Sequence, residues 1–255
     1  MLVLEDFTLY RGRLCVADKL NICFETGKVY AILGPNGAGK SSLIKGIFTE
    51  LPFKGKLSFQ NQSITPELIY TWRKRIGYMP QDSMVDASLS ALEVVLLGQL
   101  DNLSTHVSDE QLHAAITLMH ELGIEHLAGQ DVLSLSGGQR QMVMFAQVLL
   151  KNPELLLLDE PISALDMHHQ CVLLERVHQQ THERNLTTLM ILHDLNLASQ
   201  FADEVVLLSG AKIHGKGHAS EVLTRDLVEK LYHVPIYRHQ DEQGLPIIIP
   251  ARRRS

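Results

Sequence analysis

The sequence predicts an α/β fold with a mainly parallel sheet, on three observations. Apolar runs at residues 29–33, 155–158, 187–192 and 204–208 have the length and continuous hydrophobicity of strands buried on both faces. Helical patterns around 139–150 and 169–184 lie between them, and alternating strands and helices build parallel sheets. The first run leads into Gly34-Pro35-Asn36-Gly37-Ala38-Gly39-Lys40-Ser41-Ser42, and an apolar helix pattern (Leu43, Ile44, Ile47) follows directly. Strand, glycine loop and helix in that order are what a phosphate-binding loop requires.

The chain has 255 residues, enough for one large domain. Between Asp82 and Leu135 the character changes, with helical patterns at 90–100 and 108–122. Ser108 and Gln111 stand as a capping box at the start of the second. Residues 82–135 are therefore expected to form a helical insertion in a core made of 1–81 and 136–255.

Hydrophobic residues make up 45% and charged residues 20%, the balance of an ordinary globular protein. A formal net charge of -6 argues against a nucleic-acid partner, since that role favours a basic surface. The tail Arg252, Arg253, Arg254 is too short to change this and reads as a solvated terminus. Cys15, Cys23 and Cys171 fit neither a disulfide framework nor a zinc site, and free thiols suit a reducing compartment. No basic-then-apolar leader is expected at the N-terminus, and no run approaches the roughly 18 apolar residues of a membrane span. Any service to a membrane is expected from the cytoplasmic side, through another subunit.

Three motifs carry chemistry. In the glycine loop, successive backbone N–H groups can converge on one anion, and the following helix adds its positive end. Lys40 supplies a point charge for outer phosphates, and the Ser41 hydroxyl suits Mg²⁺. In Leu155-Leu156-Leu157-Leu158-Asp159-Glu160-Pro161, a buried strand ends in adjacent carboxylates. Asp159 can serve the magnesium ion, and Glu160 can orient and deprotonate an attacking water. In Leu135-Ser136-Gly137-Gly138-Gln139, a hydroxyl and bare N–H groups open a helix, which makes a second anion site. Two phosphate sites and one catalytic carboxylate are reconciled if the second site serves a neighbour's nucleotide.

In this order the motifs resemble the ATP-binding subunits of ABC transporters, over essentially the whole chain. Gly34 to Ser42 is similar to that family's Walker A loop, Gln81 to its Q-loop glutamine and Leu135 to Gln139 to its signature motif. Leu155 to Glu160 resembles Walker B with its catalytic glutamate, Ser163-Ala164-Leu165-Asp166 the D-loop, and His193 the switch histidine. Tyr10 stands where the family has an aromatic residue that stacks on adenine. The resemblance implies a P-loop NTPase (RecA-like) core with an N-terminal antiparallel β subdomain beside the helical insertion. It implies ATP and Mg²⁺ bound between two head-to-tail copies. Each ATP would lie between the loop from Gly34 to Ser42 of one copy and Ser136, Gly137, Gly138 and Gln139 of the other. Ser41, Gln81 and Asp159 would serve the metal, and Glu160, His193 and Gln81 the chemistry. Asp166 would cross the dimer interface.

Soluble relatives of that family act in DNA repair, translation and iron–sulfur cluster assembly, and the last stays open as an alternative. Met79-Pro80-Gln81, Leu195-Asn196-Leu197-Ala198 and the stretch 244–250 are similar to the ATPases of importers for ferric siderophores, haem and vitamin B12. That likeness implies a peripheral subunit at the cytoplasmic face of the inner membrane. Its partners would be a second copy, an integral permease docked on the helical insertion and a substrate-binding protein. The cargo would be an iron complex, with a ferric siderophore ahead of haem and cobalamin. Three other features read as bland. His178 and His182 form an i,i+4 pair expected by chance among thirteen histidines, and His168-His169 is expected to be exposed. Trp72, ahead of Arg73, Lys74 and Arg75, is expected on a solvated basic face.

Overall fold

The computed structural model describes residues 1–81, 87–102, 107–163 and 165–252. Ala164, Arg253, Arg254 and residues 82–86 and 103–106 of the expected insertion lie outside the described residues. The chain opens with an antiparallel pair, β1 (Leu2–Arg11) and β2 (Leu14–Phe24), closed where Arg11 faces Leu14. β3 (Lys28–Leu33) and helix α1 (Lys40–Ile47) follow. β4 (Phe53–Phe59) returns antiparallel to β1, and β5 (Gln62–Ser63) pairs with β4. The next elements are α2 (Ile69–Lys74), β6 (Ile76–Met79), α3 (Ala91–Leu96), α4 (Asp109–Glu121) and α5 (Gly137–Leu150). Then come β7 (Leu155–Leu158), α6 (Met167–Glu183), β8 (Thr187–Ile191), α7 (Leu195–Phe201), β9 (Glu204–Ser209) and β10 (Lys212–Gly217). Helices α8 (Ala219–Val222) and α9 (Arg225–Tyr232) and the hairpin of β11 (Ile236–Gln240) and β12 (Pro246–Pro250) complete it.

The central sheet has the order β10-β9-β3-β8-β7-β6 among the described residues. Its strands run parallel except β10, which is antiparallel to β9. The first hairpin, β4 and β5 make a separate antiparallel sheet of order β2-β1-β4-β5. The central strands are apolar throughout because both faces are covered. Val29, Ala31, Leu33, Leu156, Leu158, Val205 and Leu207 join the core shared with the helices. Their neighbours Tyr30, Ile32, Leu155, Leu157, Val206 and Leu208 face the second core, with the antiparallel sheet and α1. The period-two pleat thus divides one uniform run between two cores.

Helices α3 and α4 start on capping boxes, Ser90 with Glu93 and Ser108 with Gln111. Ala91, Val94, Leu118 and Met119 join the same core as Leu156 and Leu158, so these helices share the sheet's apolar layer.

Trp72 departs from its expectation. It is 1% exposed, packs on Phe59 with ring centroids 5.5 Å apart, and its Nε1–H donates to the Ile47 carbonyl at 2.9 Å. The basic residues after it point elsewhere. Arg73 donates to the Phe48 and Thr49 carbonyls at the end of α1, and Arg75 pairs with Glu154 at 2.6 Å. One turn of helix sends the indole inward and the guanidinium groups to the rim.

Candidate functional site

The loop after β3 folds back on itself because its glycines adopt backbone angles closed to other residues. Gly34 has φ +151°, Gly37 +79° and Gly39 +95°. A Cβ on Gly34 would stand 2.0 Å from the Leu208 carbonyl oxygen, and one on Gly39 would stand 2.7 Å from that of Val16. Both contacts are with backbone, so neither can yield cheaply. Gly34→Ala is expected to cost about 3 kcal/mol or more of stability, adding φ strain to a steric clash. Chemical denaturation with intact secondary structure at low denaturant will read it.

Lys40 is the first residue of α1 and is nearly buried. Its Nζ donates to the Gly34 carbonyl at 2.8 Å and the Pro35 carbonyl at 3.1 Å. Burial holds its amine below the ordinary value, while Glu160 and Asp159 pull the other way. An ammonium that has lost water and is held by two carbonyl dipoles is poised to take up phosphate.

Beside it, the Ser41 hydroxyl donates to Asp159 Oδ1 at 2.9 Å. Asp159 is 2% exposed, and burial lifts its carboxyl above the usual range despite that hydrogen bond. A hydroxyl and a buried carboxylate offer oxygen donors alone, the donor set of a hard cation such as Mg²⁺, which the residues therefore fit. The raised carboxyl has a signed consequence. A folded-state pKa above the unfolded one means that the ionised group weighs against folding at pH values above both. Asp159→Asn is expected to raise the melting temperature of the nucleotide-free protein at pH 7, with the gain vanishing toward about pH 3. Melts across that range will check it.

The next residue turns sharply: Glu160 has φ +55°, an uncommon angle for a side chain of this kind. The turn aims its carboxylate at two residues far away in sequence. His193, just past β8, approaches Glu160 Oε1 at 2.6 Å through Nε2. Gln81, just past β6, donates from Nε2 to Glu160 Oε2 at 2.8 Å. Three residues from the ends of three neighbouring parallel strands thus form one chain of contacts. They share a cleft of about 680 Å³ with Lys40, Ser41, Ser42 and the loop from Asn36 to Gly39. This is the carboxyl end of the sheet, where such sheets place their ligands.

Ser136 to Gln139 stand apart from that cleft. Ser136 caps α5, its Oγ accepting from Gln139 N–H while Gln139 Oε1 accepts from Ser136 N–H. Gly138 lies under His169, and a Cβ there would meet the ring at 2.3 Å. His169 is accordingly half-buried rather than exposed, while its neighbour His168 is exposed. Asp166 caps α6 and accepts from His169 Nδ1 at 2.7 Å, and hydrogen bonds from His169 hold its carboxyl low. The start of α6 is thereby fitted against the start of α5.

Tyr10 does not join the residues lining the cleft. The residue is 45% exposed, and its ring lies beneath Lys54 Nζ at 5.8 Å. The cleft's outer wall comes instead from Arg11, Leu14 and Val16. Strand alternation was the signal for Leu14 and Val16, which are two apart on β2 and face one side, and Arg11 on β1 pairs with Leu14. Asn196 stood in the sequence only as part of the stretch 195–198, with no role of its own. Both its amide atoms bond the Ile248 backbone, so the C-terminal hairpin is tied to α7 just after His193.

The family model for the ABC transporter matches residues 17–163. The chain belongs to the ABC transporter family. It is an ATP hydrolase of that family. The hemin import ATP-binding protein HmuV of Plesiomonas shigelloides is 34% identical, over 96% of this chain and all of that protein. The ferric enterobactin transport ATP-binding protein FepC of Escherichia coli K12 is also 34% identical, over 98% of this chain and 94% of its own. Among solved structures, an inward-facing transporter described as of metal-chelate type superposes with a TM-score of 0.85 at 26% identity, covering 98% of this chain and 97% of that one. A dimeric bacterial ABC transporter cassette superposes at 0.75 with 25% identity, covering 86% of this chain and 98% of its own.

Proposed function

We propose that this chain is the ATPase of an importer for an iron complex, and that it hydrolyses ATP between two copies of itself. The convergence of Gln81, Glu160 and His193 on the cleft that holds Lys40 carries the catalytic half of this reading. The names of the similar proteins, hemin import and ferric enterobactin transport, support an iron complex as the cargo class without ranking the two; a ferric siderophore is the cargo we test first.

In this reading the loop N–H groups and Lys40 grip the β- and γ-phosphates, and Ser41, Asp159 and Gln81 serve the magnesium ion. The bound ion would neutralise charge building up on the phosphoryl oxygens. Glu160 accepts a proton from the attacking water as its oxygen bonds to the γ-phosphorus. The bond to the β,γ-bridging oxygen breaks, leaving ADP and phosphate. His193 holds Glu160 in place and reaches the γ-phosphate from the end of β8. Ser136 to Gln139 close the site from a second copy, and the dimeric cassette among similar structures supports that pairing.

No helix among the described residues is long and apolar enough to cross a membrane. Movement of cargo therefore falls to a permease, docked on the region of α3 and α4 at the cytoplasmic face, with a substrate-binding protein delivering the cargo. The test is transport by the chain with its co-expressed permease in vesicles. ATP-dependent uptake of a ferric siderophore, lost with Lys40→Ala, is the expected result. Full biological activity in cells that lack any such permease would overturn the transport reading.

A further inference from the structure

At the end of the central sheet opposite the nucleotide cleft, His178, His182 and Asp203 bring three ligand atoms within 4.8 Å of one another. We propose that these residues bind one divalent transition-metal cation of the zinc, nickel or copper class, separate from the magnesium site.

The two histidines lie one turn apart near the end of α6, with ring centroids 4.1 Å apart. Spacing of i,i+4 puts both imidazoles on one helix face. His182 is oriented by its own helix: its Nδ1 lies 2.8 Å from the His178 carbonyl oxygen. A carbonyl only accepts, so Nδ1 carries the proton and Nε2 presents its lone pair outward. A metal-binding imidazole is commonly held in this way.

Asp203 is oriented too. It sits just ahead of β9, and its Oδ2 accepts the Val29 N–H at 2.7 Å, at the start of β3. That bond turns Oδ1 toward His182 Nε2, 3.4 Å away. The separation is longer than the roughly 2.7–2.9 Å of a charge-assisted hydrogen bond. It does match the distance of about 3.3–3.5 Å between two ligands bound tetrahedrally to one zinc ion at about 2.0–2.1 Å. Two imidazoles and a carboxylate suit borderline transition cations over Mg²⁺ or Ca²⁺, which favour all-oxygen sites. The exposure of His178 and His182 leaves solvent access for water on the remaining positions.

Metal there ties the end of α6 to the starts of β3 and β9. The same helix begins at Asp166, fitted against the signature segment through His169. Metal binding is therefore expected to stiffen the helix that carries the candidate dimer contact.

The test uses the full chain in excess Mg²⁺ with a phosphine reductant, titrated with zinc chloride alone. Wild type is expected to hold one zinc per chain at micromolar concentration, with a rise in melting temperature that EDTA reverses. The double variant His178→Ala, His182→Ala should bind at least 10-fold more weakly and show no zinc-dependent rise. Its metal-free melting temperature and magnesium ATPase rate should match wild type. Asp203→Asn should weaken binding in the same direction, and His168→Ala should leave it unchanged. If the double variant keeps the same zinc affinity and thermal response, or if wild type takes up no zinc, the proposal fails and the His182–Asp203 contact is a simple ion pair.

Discussion

Glu160→Gln is expected to lower ATP turnover by about 10²–10⁴-fold, the range set by removing a general base. ATP affinity is expected to stay within a few-fold of wild type. The variant keeps the length of the side chain and both contact points. Gln81 Nε2 can still donate to the amide oxygen, and His193 Nε2 still has a partner at 2.6 Å reach. Lys40, Ser41 and the loop are untouched, so the phosphates find the same cradle. What disappears is the capacity to take a proton from water. With binding intact and hydrolysis blocked, ATP should accumulate in a closed pair of chains, seen as a dimer on size exclusion with ATP and a monomer without it. Turnover close to the wild-type rate would remove Glu160 from the role of base.

The sequence was most informative where function depends on local backbone. The strand, loop and helix around Lys40 are contiguous, and glycine is required at Gly34 and Gly39 by clashes that any side chain would meet. The acidic pair is equally local: Asp159 directly follows a buried strand and Glu160 occupies the turn after it. What brings Gln81 and His193 to Glu160 is the order β8-β7-β6, a set of parallel pairings between distant segments. Composition and periodicity do not encode such pairings, and resemblance supplied them instead. Trp72 shows the opposite failure. Its basic neighbours suggested solvent, yet successive helix positions point in different directions, and the indole fills the space beside Phe59. His178 and His182 looked accidental because their third partner, Asp203, lies at the start of a different strand. Tyr10 lies beside rather than within the cleft wall, where the pleat puts Arg11, Leu14 and Val16.

Pairing has its own decisive experiment, because each composite site would draw one half from each chain. Lys40→Ala removes the phosphate-binding ammonium, and burial already disfavours that charge, so the fold should tolerate its loss. Gly137→Asp attacks the other half. Gly137 is exposed at the first position of α5, where an acidic residue favours the helix dipole. The fold should therefore hold while the carboxylate repels the phosphate that this helix end would receive. Each variant alone is expected to be almost inactive. Mixed in equal amounts, half of the dimers carry one chain of each kind, and in these one site combines both defects while the other is intact. Activity should return to about a quarter of wild type if the two sites act independently. The recovery should rise and fall with protein concentration as dimers form. A chain that hydrolysed ATP alone would show no recovery on mixing, because both variants would remain defective within themselves. Recovery therefore separates a site shared between chains from one completed within a single chain, which the positions of Lys40 and Gly137 in one chain cannot do.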